Sequence, residues 1–93
     1  METYVILAKF TQPGSMNAAQ AGEMMSQTQK AAQDMGVKLT GWLMCLGRFD
    51  SILTIQAPNA AAAAKFSMFL ASGGLRTETL RAFSPEEAVG FLS

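Results

Sequence analysis

The residues best suited to chemistry fall into three groups. Arg48 and Asp50 stand either side of Phe49 in the stretch LGRFD, residues 46–50. A guanidinium pairs with carboxylates and other anions in a fixed fork, and a carboxylate beside it can orient a ligand or accept its proton. The same pair also suits a turn. Gly47 tolerates an unusual backbone angle, and an aspartate in a turn bonds nearby backbone N–H groups. The second group, Arg76, Glu78 and Arg81, lies in LRTETLRAF, residues 75–83. Read as a strand, this run puts Arg76 and Glu78 on one face, and Arg81 on the other with Thr77 and Thr79. Such charges line a pocket, form an interface salt-bridge set, or protect an edge strand from aggregation. The third group, Trp42 and Tyr4, offers rings that stack on a ligand or fill a core or an interface.

Composition narrows the chemistry further. The 93 residues contain no histidine and one cysteine, Cys45. The usual neutral-pH acid/base group and the commonest transition-metal ligand are therefore missing. A single thiol with scattered carboxylates does not make a structural zinc site, and a serine or cysteine nucleophile has no imidazole partner. Cys45, in an apolar run with no basic neighbour, reads as an inert thiol. The seven methionines read as adaptable core. Lys9, inside an apolar run, is a weak candidate for a polar lining group. Net charge is zero and no lysine/arginine cluster occurs, which disfavours a nucleic-acid backbone as partner. METYVILAKF has no basic leader before its apolar run, and no run approaches the roughly 20 apolar residues of a membrane span. A reducing, cytoplasmic setting without disulfides is the expectation.

The elements that must position these groups follow from periodicity and punctuation. TYVILAKF, residues 3–10, reads as a first strand. Pro13 and Gly14 mark a turn, and a helix starts near Ser15 to Asn17. Ala21, Met24, Met25, Thr28, Ala31, Ala32 and Met35 form its apolar face, opposite Gln20, Glu23, Gln27, Lys30 and Asp34; Gly36 ends it. VKLTGWLMCL, residues 37–46, reads as a second strand, Gly47 to Asp50 as a hairpin turn, and SILTIQA, residues 51–57, as a third strand. Asn59 caps a second helix that stops at Gly73 and Gly74, with Ala62, Phe66, Phe69 and Leu70 as its core stripe. Residues 75–83 form a fourth strand. In SPEEAVGFL, Ser84 and Glu87 make a capping box, with Pro85 at the first helical position.

That order is the α+β, ferredoxin-like βαββαβ arrangement, with two helices on one face of a four-stranded antiparallel sheet and a short C-terminal helix. The fourth strand is an edge. The other sheet face is bare, yet the strands do not alternate apolar with polar as a solvated sheet should. The first strand places Tyr4, Ile6, Ala8 and Phe10 on one face, and Val5 and Leu7 on the other. The second places Trp42, Met44 and Leu46 opposite Val37, Leu39, Leu43 and Cys45. The chain is 49% hydrophobic and 15% charged, against about a quarter charged in an average domain. Both sheet faces are expected to be covered, the bare one by another subunit. The far side of the second helix, with Ala61, Ala64, Met68 and Ala71, is a weaker hint of the same kind.

Three segments, YVILAKFT, LGRFDSILTIQAP and RTETLRAFSPEE, resemble in that order the small GYD-domain family, across nearly the whole chain. RTETLRAF is the most specific part and the Gly-Arg-aromatic-Asp turn the second. The resemblance implies a dimeric α/β-barrel type of ferredoxin-like fold, in which the sheets of two subunits face each other. It implies no established activity and no agreed catalytic residues. Phe49 stands where the family name implies tyrosine, so a phenol acid or donor is missing there. The histidine that holds haem in some other dimeric α/β-barrel proteins is absent, so haem is not expected.

The reading is a single domain over residues 1–93, a homo-oligomeric scaffold or a small-molecule-binding protein. Its expected partners are further copies of itself and a small organic ligand; no nucleic acid, membrane, metal or cofactor is expected. The alternative is a cofactor-free oxygenase or isomerase acting on a small apolar, oxygen-bearing compound. Arg48 would then hold an oxyanion and Asp50 or Glu78 would move a proton, a reading that rests on fold-level analogy. The candidate ligand-binding residues are Arg48, Asp50, Arg76, Glu78, Trp42 and Tyr4.

Overall fold

The β-branched and aliphatic run at the start of the chain forms β1 (Glu2–Phe10), the strand on which the fold is built. The computed structural model describes residues 1–11 and 18–92. After β1 come α1 (Ala18–Asp34), β2 (Lys38–Met44), β3 (Ser51–Ala57), α2 (Ala60–Ser72), β4 (Leu75–Ala82) and α3 (Pro85–Leu92). The expected Pro13–Gly14 turn and the cap near Ser15 to Asn17 lie outside the described residues. The strands form one antiparallel sheet in the order β2-β3-β1-β4, with β2 and β4 at the edges. This is the ferredoxin-like α+β arrangement. No described helix is long and apolar enough to cross a membrane.

Period-two alternation decides which side of the sheet is covered. Tyr4, Ile6 and Ala8 of β1, and Ser51, Leu53, Ile55 and Ala57 of β3, are buried beneath the helices. α2 lies over β1, β3 and β4, and α1 lies beside α2 over β2. Phe66 and Leu70 of α2 drive into this layer with Ala63, while Ala62 and Phe69 pack at its margin. Each fully buried large side chain, such as Phe66, Ile6 or Leu53, contributes about 1.5–3 kcal/mol by leaving water. The far side of α2, Ala61, Ala64, Met68 and Ala71, is exposed.

The other side of the sheet is open. The register aligns Leu43, Ile52, Leu7 and Glu78 in one row, and Gly41, Thr54, Val5 and Leu80 in the next. These side chains are half-buried or exposed, and no helix among the described residues covers them. The expected apolar second face is corrected to an apolar patch of Val5, Leu7, Leu43, Ile52 and Leu80, because Thr3, Lys9, Lys38, Thr54, Gln56, Arg76 and Glu78 share that face in register.

β2 departs from the sequence reading in two ways. The pairing shifts between Leu39 and Gly41, an irregularity that leaves Thr40 as an extra residue. A bulge resets the side-chain alternation, so Leu39 and Trp42, paired with Ile55 and Leu53, lie on the same helix-covered face. The expected opposition of Leu39 to Trp42 is thus corrected. A Cβ on Gly41 would lie 2.6 Å from Thr54 Oγ1, so glycine is what lets β3 approach here. The strand also ends at Met44, earlier than expected. Cys45 belongs to the turn, where its N–H donates to the Asp50 carbonyl at 2.8 Å, and Leu46 is fully exposed.

The helix caps form as the sequence predicts. Asn59 accepts from the Ala62 N–H at 2.9 Å. The Ser84 hydroxyl accepts from the Glu87 N–H at 3.1 Å, and the Glu87 carboxylate accepts from the Ser84 N–H at 3.0 Å. That reciprocal box starts α3 without help from tertiary packing.

Candidate functional site

Asp50 has a defined partner and Arg48 does not share it. The β1–β3 ladder ends at the Ala8–Ser51 pair, leaving the Phe10 N–H beyond its last rung. The Asp50 carboxylate accepts that N–H at 2.7 Å, while the Asp50 N–H donates to the Ala8 carbonyl at 2.9 Å. Gly47, at φ 109, supplies the left-handed residue that the turn requires. Asp50 therefore extends the ladder by one rung through its side chain. Arg48 is exposed, and its guanidinium sits 5.9 Å from the centre of the neighbouring Phe49 ring.

Arg76 and Glu78 project from the open face of edge strand β4. Arg76 pairs in register with Lys9 and Glu78 with Leu7. Both are exposed. These charges therefore sit at the end of the open face on which β1 reaches Phe10, the end that the Asp50 turn closes.

Tyr4 and Trp42 lie on the opposite, helix-covered side. Tyr4 donates its phenol proton to Glu2, and the Arg81 guanidinium lies 5.5 Å from its ring centre and 4.1 Å from that of Phe83. Arg81 also donates to the Thr3 carbonyl at 3.2 Å and to the Ala82 carbonyl, and sits 3.9 Å from the Glu2 carboxylate. The hydrogen bond to Glu2, then burial and the charge of Glu2, raise the Tyr4 phenol above its ordinary value, with Arg81 opposing. Glu2 was not singled out in the sequence, although it shares the even-numbered face of β1 with Tyr4. Trp42 is half-buried, and its indole N–H is buried with no acceptor among the described residues.

The six candidates thus occupy two sides of the sheet and a turn. None lines either of two surface grooves. One, about 220 Å³, runs between α1 and α2, with Met24, Phe69, Leu70 and Leu75 beneath a rim that includes Glu23 and Gln27. The other, about 410 Å³, lies where α1 ends and β2 begins, around Gln33, Val37, Lys38 and Leu39. The structure also exposes a set of apolar side chains, of which the sequence placed those near β2 on covered strand faces and singled out none on the terminal helix. They are Leu43 and Met44 on β2, Leu46 in the turn, and Val89, Phe91 and Leu92 on α3.

Residues 4–92 match the GYD domain. The chain belongs to the GYD-domain family. The match spans all six candidate residues and assigns none of them a role. The "Glutamine synthetase and cystathionine beta-lyase binding protein" of Thermus thermophilus is 28% identical to this GYD chain over 94 residues, covering 99% of each.

Proposed function

We propose that this chain is a homo-oligomeric binding module that attaches to other proteins and performs no reaction of its own. The observation that carries the reading is the end-to-end similarity to a relative named for binding two enzymes. The placement of the candidate groups supports it. An acid, a base and an anion holder must reach one reacting atom, yet Tyr4 and Trp42 lie across the sheet from Arg76 and Glu78, and the Asp50 carboxylate is engaged by the Phe10 N–H. Of the two grooves, the one between α1 and α2, at about 220 Å³, falls below the roughly 300–1,000 Å³ of ordinary small-molecule sites, and the one of about 410 Å³ is of sufficient size but is lined by none of the six candidate residues. The exposed Leu43, Met44 and Leu46, neighbours at the end of β2, suit a protein surface better, since exposed apolar clusters mark interaction sites.

Self-association uses the open sheet face, where Val5, Leu7, Ile52 and Leu80 meet the same face of a second copy. The partner is an enzyme of the kind in the relative's name, glutamine synthetase or cystathionine beta-lyase. The test is biolayer interferometry of the immobilised chain against both purified enzymes from the same organism. Binding of at least one with a Kd of ~1–10 μM or tighter is expected. Failure of both at ~100 μM would remove the protein-partner reading. Sedimentation of the chain alone tests the dimer separately.

A further inference from the structure

We infer that the outer edge of β4 pairs with β4 of a second copy, antiparallel about a two-fold axis at Thr77; this contact is separate from the open-face association proposed above. The sheet has two edges, β2 and β4, and they differ. β2 carries the bulge at Thr40, and a bulge blunts an edge against further pairing. β4 keeps an unbroken register with β1 over eight pairs, from Thr3–Ala82 to Phe10–Leu75, and no described strand lies beyond it. Charge on an edge strand usually keeps other strands away. On β4 the signs alternate, Arg76 then Glu78 around Thr77, so the edge is complementary to a reversed copy of itself.

Backbone parity and charge select the register. The Thr11 N–H donates to the Gly74 carbonyl at 3.1 Å, on the β4 side, while the Phe10 N–H turns to Asp50 on the β3 side. Odd residues of β1 therefore bond β4, and their partners Arg76, Glu78, Leu80 and Ala82 bond inward. Leu75, Thr77, Thr79 and Arg81 are left with N–H and C=O groups turned outward. A further strand must bond these, so odd residues pair with odd and even with even. Arg76 and Glu78 are exposed and have no ionic partner among the described residues. Arg76 instead stands opposite Lys9, an unfavourable like-charge pair. An axis centred on Arg76 or on Glu78 sets like charges face to face, and one centred on Thr79 sets Arg76 against Ala82 and Glu78 against Leu80. An axis at Thr77 sets Arg76 against the partner subunit's Glu78, and symmetry repeats the pair. Both pairs occupy non-hydrogen-bonded positions, where side chains across an antiparallel ladder come closest.

The helix above β4 leaves room for this contact. Ser67 of α2 shares a hydrogen bond of 2.6 Å with Thr79, so that flank of α2 overhangs β4, whereas Phe69 lines the groove beside α1. Residues three and four apart share a helix flank, which places Ala60, Ala64 and Ala71 in line with Ser67. All three alanines are exposed. α2 runs antiparallel to β4, and the step from Thr79 back to Thr77 is about 7 Å, or about four to five residues along α2. Ala71 therefore lies beside Thr77. A two-fold axis there brings the two α2 helices together at alanine, and the separation at which helices pack is set by the side chains at the contact.

The test is sedimentation equilibrium of the full chain carrying Ile52→Asp, which removes the open-face contact. Far-UV circular dichroism checks the fold, and Leu43→Asp, at a 69% exposed position of the same face, replaces Ile52→Asp if the spectrum changes. In that background the chain should still dimerise at ~100 μM. Arg76→Glu and Glu78→Arg should each weaken the dimer by ~10-fold or more, and the double exchange should restore it. An equimolar mixture of the two single variants should associate at least ~10-fold more tightly than either alone, because each chain then meets two opposite charges. Ala71→Arg, outside the strand, should weaken the dimer to a similar degree. A chain that is monomeric at ~100 μM in the Ile52→Asp background overturns the edge contact, and a wild-type dimer would then leave the open-face reading standing. A dimer that both single charge exchanges leave unchanged overturns the pairing at Thr77.

Discussion

Replacing Asp50 by alanine separates its structural role from a ligand-binding one. The substitution removes the acceptor of the Phe10 N–H at 2.7 Å and strands that donor past the end of the β1–β3 ladder. Hydrogen bonds to charged groups contribute about 1.5–3 kcal/mol. Asp50 is half-buried, so water recovers part of the loss, and about 1.5–2 kcal/mol of destabilisation is expected. Asp50→Asn keeps an acceptor without its charge and should cost about half as much. Arg48→Ala removes only a contact with Phe49 at 5.9 Å from an exposed position, worth under about 1 kcal/mol. The assay is urea unfolding followed through the single tryptophan, at fixed protomer concentration because association shifts the midpoint. With a slope of about 1–1.5 kcal/mol/M for a chain this size, Asp50→Ala should lower the midpoint by about 1–2 M without changing the slope. A loss below about 0.5 kcal/mol, or one exceeded by that of Arg48→Ala, refutes the assignment of Asp50 as the tie between turn and sheet.

Three further outcomes follow from particular contacts. The single tyrosine should titrate above its ordinary value at 295 nm, because Glu2 and burial favour the protonated phenol. That raised value makes its contribution to stability complete below the ordinary phenol range and lost as pH rises through the folded one, and Glu2→Ala should bring the midpoint down. Glu87 is held below the ordinary carboxylate range by the Ser84 N–H and hydroxyl. Its contribution is therefore complete above that range and fades as pH falls through the folded value, so α3 should fray in acid while the sheet persists, as read by amide chemical shifts. Gly41→Ala sets a methyl 2.6 Å from Thr54 Oγ1 and displaces a hydroxyl that bonds Thr40 at 3.0 Å. It should cost about 1 kcal/mol, and an unchanged urea midpoint would sink the claim that β3 needs glycine there.

The fold was legible where local chemistry and tertiary packing agree. SILTIQA forms β3 with the predicted ends because turn residues bound it on one side and Pro58 on the other. The cap at Asn59 and the box at Ser84 formed because a cap uses only residues three apart. The strand reading failed at β2, where an inserted residue resets alternation. Gly41 inside an apolar run was the available signal, since a glycine within a strand marks a bulge or a close approach. Ala63 was missed on α2 because five consecutive alanines carry no stripe, and only the position of Phe66 selects the one that is buried. The candidate site was legible in residue type but not in convergence. Arg76 and Glu78 were rightly placed on the edge strand and on one face. That Tyr4 and Trp42 lie on the other side of the sheet depends on strand order and on the bulge, neither of which a local pattern contains.

The strand order also sets a timetable for synthesis. β1 is central, paired with β3 and β4, although it leaves the ribosome before either. At about 5–20 residues per second, roughly 2–10 s separate the end of β1 from the end of β3, and β4 comes later still. Throughout that interval an apolar strand with two open edges has no native neighbour, and long-range pairing of this kind is slow to form. The nascent chain is thus most exposed to misassociation before its middle has been made, and the first pairing open to it, β2 with β3, builds the half of the sheet that β1 must then join.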